Sequence, residues 1–299
     1  MNPLKPTQMV YFSKRIVDII AGSLGILVLC VIYPVIALLI KLDSKGPVIY
    51  KQVRVGCNRR GPLQDRRRED SSIVVLQDRR KGDVNRRQQN DCGLPFQLYK
   101  FRTMFIDAEE NGPQLCPKQS DSRITRVGWW LRYLHIDEIP QFWNVLKGEM
   151  SLIGPRPERP FFTRKYREDI PHYEERTRYI KPGLTGLAQI TLGYDESLQT
   201  VHLKYAHDIN YRIASASFVS WIKIEAWIIG NTIRYLWNHV WRDVQRKFTR
   251  EQHQEIQSPT STEKDWHHIA HPWKLIDRIT AKQNQSGQEL PNYARKTRL

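Results

Sequence analysis

Along the chain, apolar and polar residues fall into blocks with different periods. The first block has no period at all: residues 19–40, IIAGSLGILVLCVIYPVIALLI, carry no charge over 22 positions, enough for ~33 Å of helix at 1.5 Å per residue. Such a run belongs in a membrane. Pro34 lies within it, where the missing N–H and the clash of the ring with the preceding turn predict a kink. Lys14 and Arg15 on one flank are matched by Lys41 and Lys45 on the other, so the positive-inside bias selects no orientation. A helix that crosses and a helix that enters one leaflet and returns both satisfy the pattern, the second only if its break is shielded. A cleaved signal peptide fits less well, because no small-x-small site precedes Lys41.

Further on the period becomes two. Residues 47–55 (PVIYKQVRV) and 96–104 (FQLYKFRTM) alternate as strands do, with Gly and Pro bracketing both, and predict a hairpin. Between them, residues 57–94 hold nine arginines, one lysine and six acids around one apolar patch at 73–76, which reads as an exposed insertion. It lacks the aromatic residues on which nucleic-acid bases stack. Helical spacing returns at 127–134, and Pro140 suits the first turn of a following helix, QFWNVLKG, that Gly148 would end. The glycines of YIKPGLTGLAQI permit tight turns and backbone donors facing an anion. Residues 218–240, with Trp221, Trp227 and Trp237, suit an interfacial amphipathic helix or an ordinary packed one. Residues 241–299 are polar and read as a flexible tail, in which His267, His268 and His271 lack the pattern of a metal site.

Composition narrows the partners. With 299 residues, 40% hydrophobic, and a net charge of +16, the chain has a modest core and should meet anionic partners: phosphorylated substrates, acidic lipid or nucleic acid. Cys30, Cys57, Cys92 and Cys116 form no CxxC pair, so neither a zinc site nor a disulfide framework is suggested, and a reducing compartment fits best.

Candidate chemistry concentrates in 121–159, DSRITRVGWWLRYLHIDEIPQFWNVLKGEMSLIGPRPER. Asp137 and Glu138 stand just before Pro140, at a helix entrance whose dipole favours carboxylate. Simple capping would explain an isolated pair. Here Arg123, Arg126, Arg132, Arg156, Arg159 and Lys181 surround it in sequence, and arginine forks match phosphate oxygens. A carboxylate held among phosphate binders is an arrangement for phosphoryl transfer.

The segments KRIVDII, GPVIYKQVRVG, FQLYKFRTM, SRITRVGWWLR, IDEIPQFWNVLKGEMSLIGPRPE and KPGLTGLAQI, in this order across 14–236, resemble the bacterial sugar transferase family, the monotopic phosphoglycosyl transferases. The resemblance implies an α+β fold: a membrane-embedded monotopic core with an N-terminal Pro-kinked re-entrant helix over 14–41, a cytoplasmic catalytic domain over 42–240, interfacial amphipathic helices and a small β element. It favours the re-entrant reading, with Pro34 as the break and both termini cytoplasmic, in the minimal architecture without a further transmembrane bundle. It implies a UDP-sugar donor, polyprenol phosphate as acceptor in the bacterial cytoplasmic membrane, and release of UMP. Asp137 would be the nucleophile and Mg²⁺ ligand, Glu138 its partner, and Lys100, Arg102, Arg123, Arg132, Arg156 and Lys181 contacts to nucleotide or phosphate. Three features depart from the pattern: Tyr33 where many members have Ser, TLGYDES without the arginine some carry there, and the insertion. Two other readings remain: a glycosyltransferase that releases UDP, and a membrane-tethered basic protein that binds nucleic acid or acidic lipid through 57–94. The sequence fixes neither the sugar nor the oligomeric state, and a homodimer is compatible with it.

Overall fold

The computed structural model describes residues 5–58, 93–108, 110, 121–192 and 198–252, with side chains to 238. The greater part of the 57–94 insertion, residues 193–197 of the TLGYDES loop, the histidine cluster and most of the polar tail lie outside the described residues. Two compact units divide the chain, Tyr11–Ile209 and a smaller one built from Met1–Val10 with Asn210–Leu299.

Helix α1 (Gln8–Asp43) is continuous through Pro34 and is long and apolar enough to cross a membrane. Only 11% of its most apolar window is buried, with Ile20, Leu24, Leu27, Val31 and Leu38 among its exposed side chains, so it is not the core helix of a soluble fold. Its two ends are nonetheless held by the larger unit. Near the start, Arg15 Nη1 and Nη2 donate to the carbonyls of Val145 (2.9 Å) and Leu146 (2.6 Å), and Asp18 Oδ1 accepts from the Ser151 hydroxyl and the Leu152 N–H, both at 2.8 Å. At the far end, Asp43 Oδ2 accepts from the N–H of Val127 (3.0 Å), while Ile40 is buried in a cluster with Phe101 and Leu131.

The predicted hairpin forms. Strands β1 (Ile49–Val55) and β2 (Pro95–Phe101) pair antiparallel, with Ile49 opposite Phe101 and Val55 opposite Pro95. Helix α2 (Arg126–Tyr133) is capped by Thr125, whose Oγ1 accepts from the N–H of Gly128 at 2.9 Å. A 3-10 turn, Ile136–Gln141, leads straight into α3 (Phe142–Lys147), which ends at Gly148 in the left-handed conformation (φ 81). Phe96, Leu98, Val145 and Met150 form a second core cluster, joined by Leu184.

Strand β3 (Ser151–Ile153) pairs in parallel with β4 (Gly183–Thr185), across an intervening α4 (Pro160–Asp169) and a 3-10 turn at Tyr173–Thr177. Helices α5 (Leu187–Leu192) and α6 (Leu198–Ala214) follow. In the smaller unit, α7 (Phe218–Gln252) continues past the boundary read at 240. Its Trp221, Ile224 and Ile228 are buried, Trp237 is exposed, and Glu225 Oε1 accepts from the Tyr211 hydroxyl at 2.7 Å. Among the described residues the architecture is thus mostly helical, with two small two-stranded sheets.

Candidate active site

The local sequence explains why two acids sit side by side at a bend. Helix α2 stops at Tyr133, His135 takes a left-handed conformation (φ 55), and the chain re-enters as the 3-10 turn that carries Asp137 and Glu138 in its first positions. Pro140 lies inside this turn rather than in the first turn of α3, which begins at Phe142.

Lys100, on β2, reaches both acids. Its Nζ donates to Glu138 Oε1 at 3.0 Å and lies 4.0 Å from Asp137 Oδ2. Asp137 is only 6% exposed. Burial raises its carboxyl pKa above the ordinary 3.8, Lys100 pulls it back, and Glu138 adds to the rise; Arg132 and Arg156 lower it. Burial presses on Glu138 in the same sense, but Lys100 and Arg156 outweigh it and hold that carboxyl below its ordinary range. The two neighbours are driven apart: Glu138 keeps its charge on Lys100, and Asp137 is the group poised to titrate.

Next to the dyad lies a narrow cleft lined by Lys100, Glu138, Gln141, Arg54 and Arg156, with Leu98, Pro157, Gly183, Leu184 and Gln189. Arg156 is carried on a loop with no helix or strand of its own, yet that loop is fully tied. The carbonyl of Pro155 accepts from Gly183 N–H (2.9 Å), that of Arg156 from Arg176 Nη2 (2.9 Å), that of Pro157 from Arg54 Nη1 (3.0 Å), and that of Glu158 from Val55 N–H (2.8 Å). Arg176 is in turn fixed by Asp208 Oδ2, which accepts from its Nε at 2.7 Å. Four consecutive carbonyls held from three elements leave the backbone beneath Arg156 little freedom.

Of the residues singled out from sequence, Glu138, Lys100 and Arg156 line the cleft, Asp137 stands 4.0 Å from Lys100 Nζ, and Arg132 acts electrostatically on Asp137. The others stand apart from it. Arg102 is buried and closes the end of α1, donating to the carbonyls of Ser44 (2.6 Å) and Lys45 (2.7 Å). Arg123 is engaged with Asp121 through Nε and Nη2, which pulls the Asp121 carboxyl down to about 2. Lys181 lies by Gly148 and acts on Asp18. Arg54, Gln141, Gln189 and Arg176 were not singled out. For Arg54 a signal existed: in β1, Gln52 and Arg54 are half-buried while Val53 is exposed, the reverse of a structural strand's alternation. Gln189 and Arg176 give no such signal, because their placement depends on chain segments brought together only by folding.

For a divalent cation, the turn that carries Asp137 and Glu138 offers two adjacent carboxylates. Among the described residues no group of three or more His, Cys, Asp or Glu forms a complete metal site. Mg²⁺ typically takes one or two protein carboxylates and completes its shell with water and substrate phosphate, and this donor set fits that pattern.

A family model described as bacterial sugar transferase matches residues 9–62 and 71–238. A UDP-N-acetylgalactosamine-undecaprenyl-phosphate N-acetylgalactosaminephosphotransferase of Aeromonas hydrophila is 36% identical over 78% of this chain and 46% of its own length. UDP-glucose:undecaprenyl-phosphate glucose-1-phosphate transferases of Klebsiella pneumoniae and Caulobacter vibrioides are 34% and 35% identical, over 70% and 69% of this chain and 37% and 64% of theirs. The chain therefore spans less than two thirds of the length of these three relatives.

Proposed function

The chain belongs to the bacterial sugar transferase family, and from that membership and the geometry of the cleft we propose that it moves a sugar-1-phosphate from a UDP-sugar to undecaprenyl phosphate. The observation that carries the reading is the geometry of the pair: a buried Asp137 beside Glu138, with Lys100 within 4.0 Å of both carboxylates and Arg54 and Arg156 in the adjoining cleft. A carboxylate with few hydrogen bonds is a better nucleophile than a solvated one. A basic cleft holds a diphosphate against it.

In the first half-reaction an Asp137 carboxylate oxygen attacks the β-phosphorus of the donor. A bond forms from that oxygen to phosphorus, the bond from phosphorus to the bridging oxygen breaks, and UMP departs with the electron pair. In the second, a phosphate oxygen of the acceptor attacks the same phosphorus and Asp137 leaves as carboxylate, giving a polyprenol diphosphate sugar. Lys100 can turn from Glu138 toward the transferring phosphoryl oxygens, and Arg156 and Arg132 balance its charge. Glu138, held ionised, is placed to accept a proton from an acceptor that arrives protonated. Asp137 would be the protein ligand of Mg²⁺, which when bound would neutralise charge on the diphosphate.

Helix α1 supports action at the bilayer. Its exposed apolar surface calls for lipid, and both its ends are held by the unit that carries the dyad. That arrangement favours a helix that returns to the side it entered from, with the dyad at the cytoplasmic face of the bacterial inner membrane, where the nucleotide donor is made.

The test is incubation of the full chain with undecaprenyl phosphate and a panel of UDP-sugars. UMP is the expected nucleotide product, and Asp137→Asn should abolish its release while membrane association persists. Release of UDP would identify a conventional glycosyltransferase instead.

A further inference from the structure

Asn144 lies on α3, just past the turn that carries the two acids, and is wholly buried. Its carboxamide is directed at the neighbouring strand. Oδ1 accepts from the Tyr99 N–H at 3.2 Å, and Nδ2 donates to the Gln97 carbonyl at 2.6 Å and to Glu149 Oε2 at 2.7 Å. Alternate residues of a strand turn their N–H and C=O groups to the same edge, so Gln97 and Tyr99 present one edge of β2 to α3. A carboxamide carries the donor and the acceptor of a peptide group, and here it meets that edge as another strand would. The backbone of Asn144 is engaged as well. Its carbonyl accepts from the N–H groups of Glu149 (3.0 Å) and Met150 (3.2 Å), which folds the chain leaving α3 back onto the same residue.

What this joint does for the site follows from what stands on either side of it. Tyr99 immediately precedes Lys100 on β2, and the turn with Asp137 and Glu138 runs straight into α3. Packing of Phe96 and Leu98 with Val145 and Met150 also holds the two elements together, but apolar contact is non-directional and tolerates sliding. Hydrogen bonds to two points of the strand do not. A slip of one residue along a strand is ~3.3 Å, as large as the 3.0 Å between Lys100 Nζ and Glu138 Oε1. A fraction of that slip would take the ammonium out of reach.

We propose that Asn144 is a positioning residue for the transfer reaction: its amide fixes the register of β2 against the acid-bearing turn and so places Lys100 Nζ against both carboxylates. The assignment rests on the phosphoglycosyl-transfer reading above.

A double-mutant cycle of Asn144→Ala and Lys100→Met tests it, read as UMP release by the full chain in nanodiscs with undecaprenyl phosphate and the panel of UDP-sugars. Asn144→Ala is expected to lower kcat about tenfold with KM for the UDP-sugar within about twofold of wild type. In the Lys100→Met background the same substitution should cost less than about twofold, because the group it places is gone. A residue that only holds the core together lowers activity by the same factor in both backgrounds, so equal losses overturn the assignment. An unchanged kcat in Asn144→Ala, or a loss confined to KM, overturns it too. Glu149→Ala removes one acceptor of the amide at a half-buried position and carries the test if Asn144→Ala does not fold. It should lower kcat about threefold in the wild-type background and by less in Lys100→Met; equal factors again overturn the assignment. A wild type that releases UMP with an additive cycle removes this inference alone, whereas a wild type that releases none removes the proposed function with it.

Discussion

Lys100 Nζ stands between two carboxylates that burial alone would neutralise, 3.0 Å from Glu138 and 4.0 Å from Asp137. Replacing it by Met leaves an adjacent acid pair with its nearest cation gone, so the pair should hold a proton to higher pH. Lys100→Met is expected to lower kcat by about 10²-fold and to move the acid limb of the pH–rate profile upward. A profile that falls without moving would show that Lys100 acts only on substrate. In wild type, a raised Asp137 pKa means that activity should decline as pH drops through mildly acid values, above the ordinary carboxylate range. The same shift has a sign for stability: a carboxyl whose folded pKa lies above its unfolded one stabilises the fold at low pH, and that contribution is lost as pH rises through the raised value. Asp137→Asn, which cannot ionise, should therefore melt above wild type at pH 8, with the gap closing toward pH 4. Thermal melts across that range are the check.

Among the elements, α1 is the one that reaches furthest. It packs on both helices that flank the dyad: Asp43 binds the first turn of α2, and Arg15 binds the last carbonyls of α3. Gly22 and Gly25 make the approach to α3 close, since a Cβ at either would run into Leu146 or the Phe142 ring. Gly25→Leu should undock the first half of α1 from α3 and lower activity by about tenfold or more while leaving the apolar run intact; flotation with lipid vesicles separates the two effects. The loop under Arg156 has a comparable dependence on Arg176, whose Nη2 holds the Arg156 carbonyl. Arg176→Lys keeps the charge but loses the fork, and is expected to raise KM for the donor by about tenfold with a circular dichroism spectrum like that of wild type. Much of this scaffold was legible in the chain. Alternation announced β1 and β2, and the uncharged run announced α1; the Asp-Glu pair does stand beside Lys100, with Arg156 close to Glu138. Arg102 and Arg123 misled because a guanidinium that binds phosphate and one that closes a helix or pairs with Asp121 look alike in sequence. Gln189 and Arg176 stayed hidden because their meaning lies in contacts between segments far apart along the chain.

For the molecule as a whole, attachment and chemistry should be separable. Apolar surface along α1 dominates the attachment, so high salt, which screens the +16 charge, should not strip the protein from vesicles. Single-cysteine reporters introduced as Lys14→Cys and Lys45→Cys in a background without Cys30, Cys57, Cys92 and Cys116 should react from the same side of sealed inverted vesicles. Labelling from opposite faces would mean a crossing helix, and would require one of the two clasps to open. Those clasps carry a further consequence. Gripped at both ends by the body that bears Asp137, α1 would, on the function proposed above, work as a depth gauge, setting the altitude of one carboxylate over the plane where lipid phosphates sit. An unrelated hydrophobic anchor spliced in for residues 8–43 would still moor the protein, but at an arbitrary height, and the long-chain acceptor would pass beneath a nucleophile it could no longer meet.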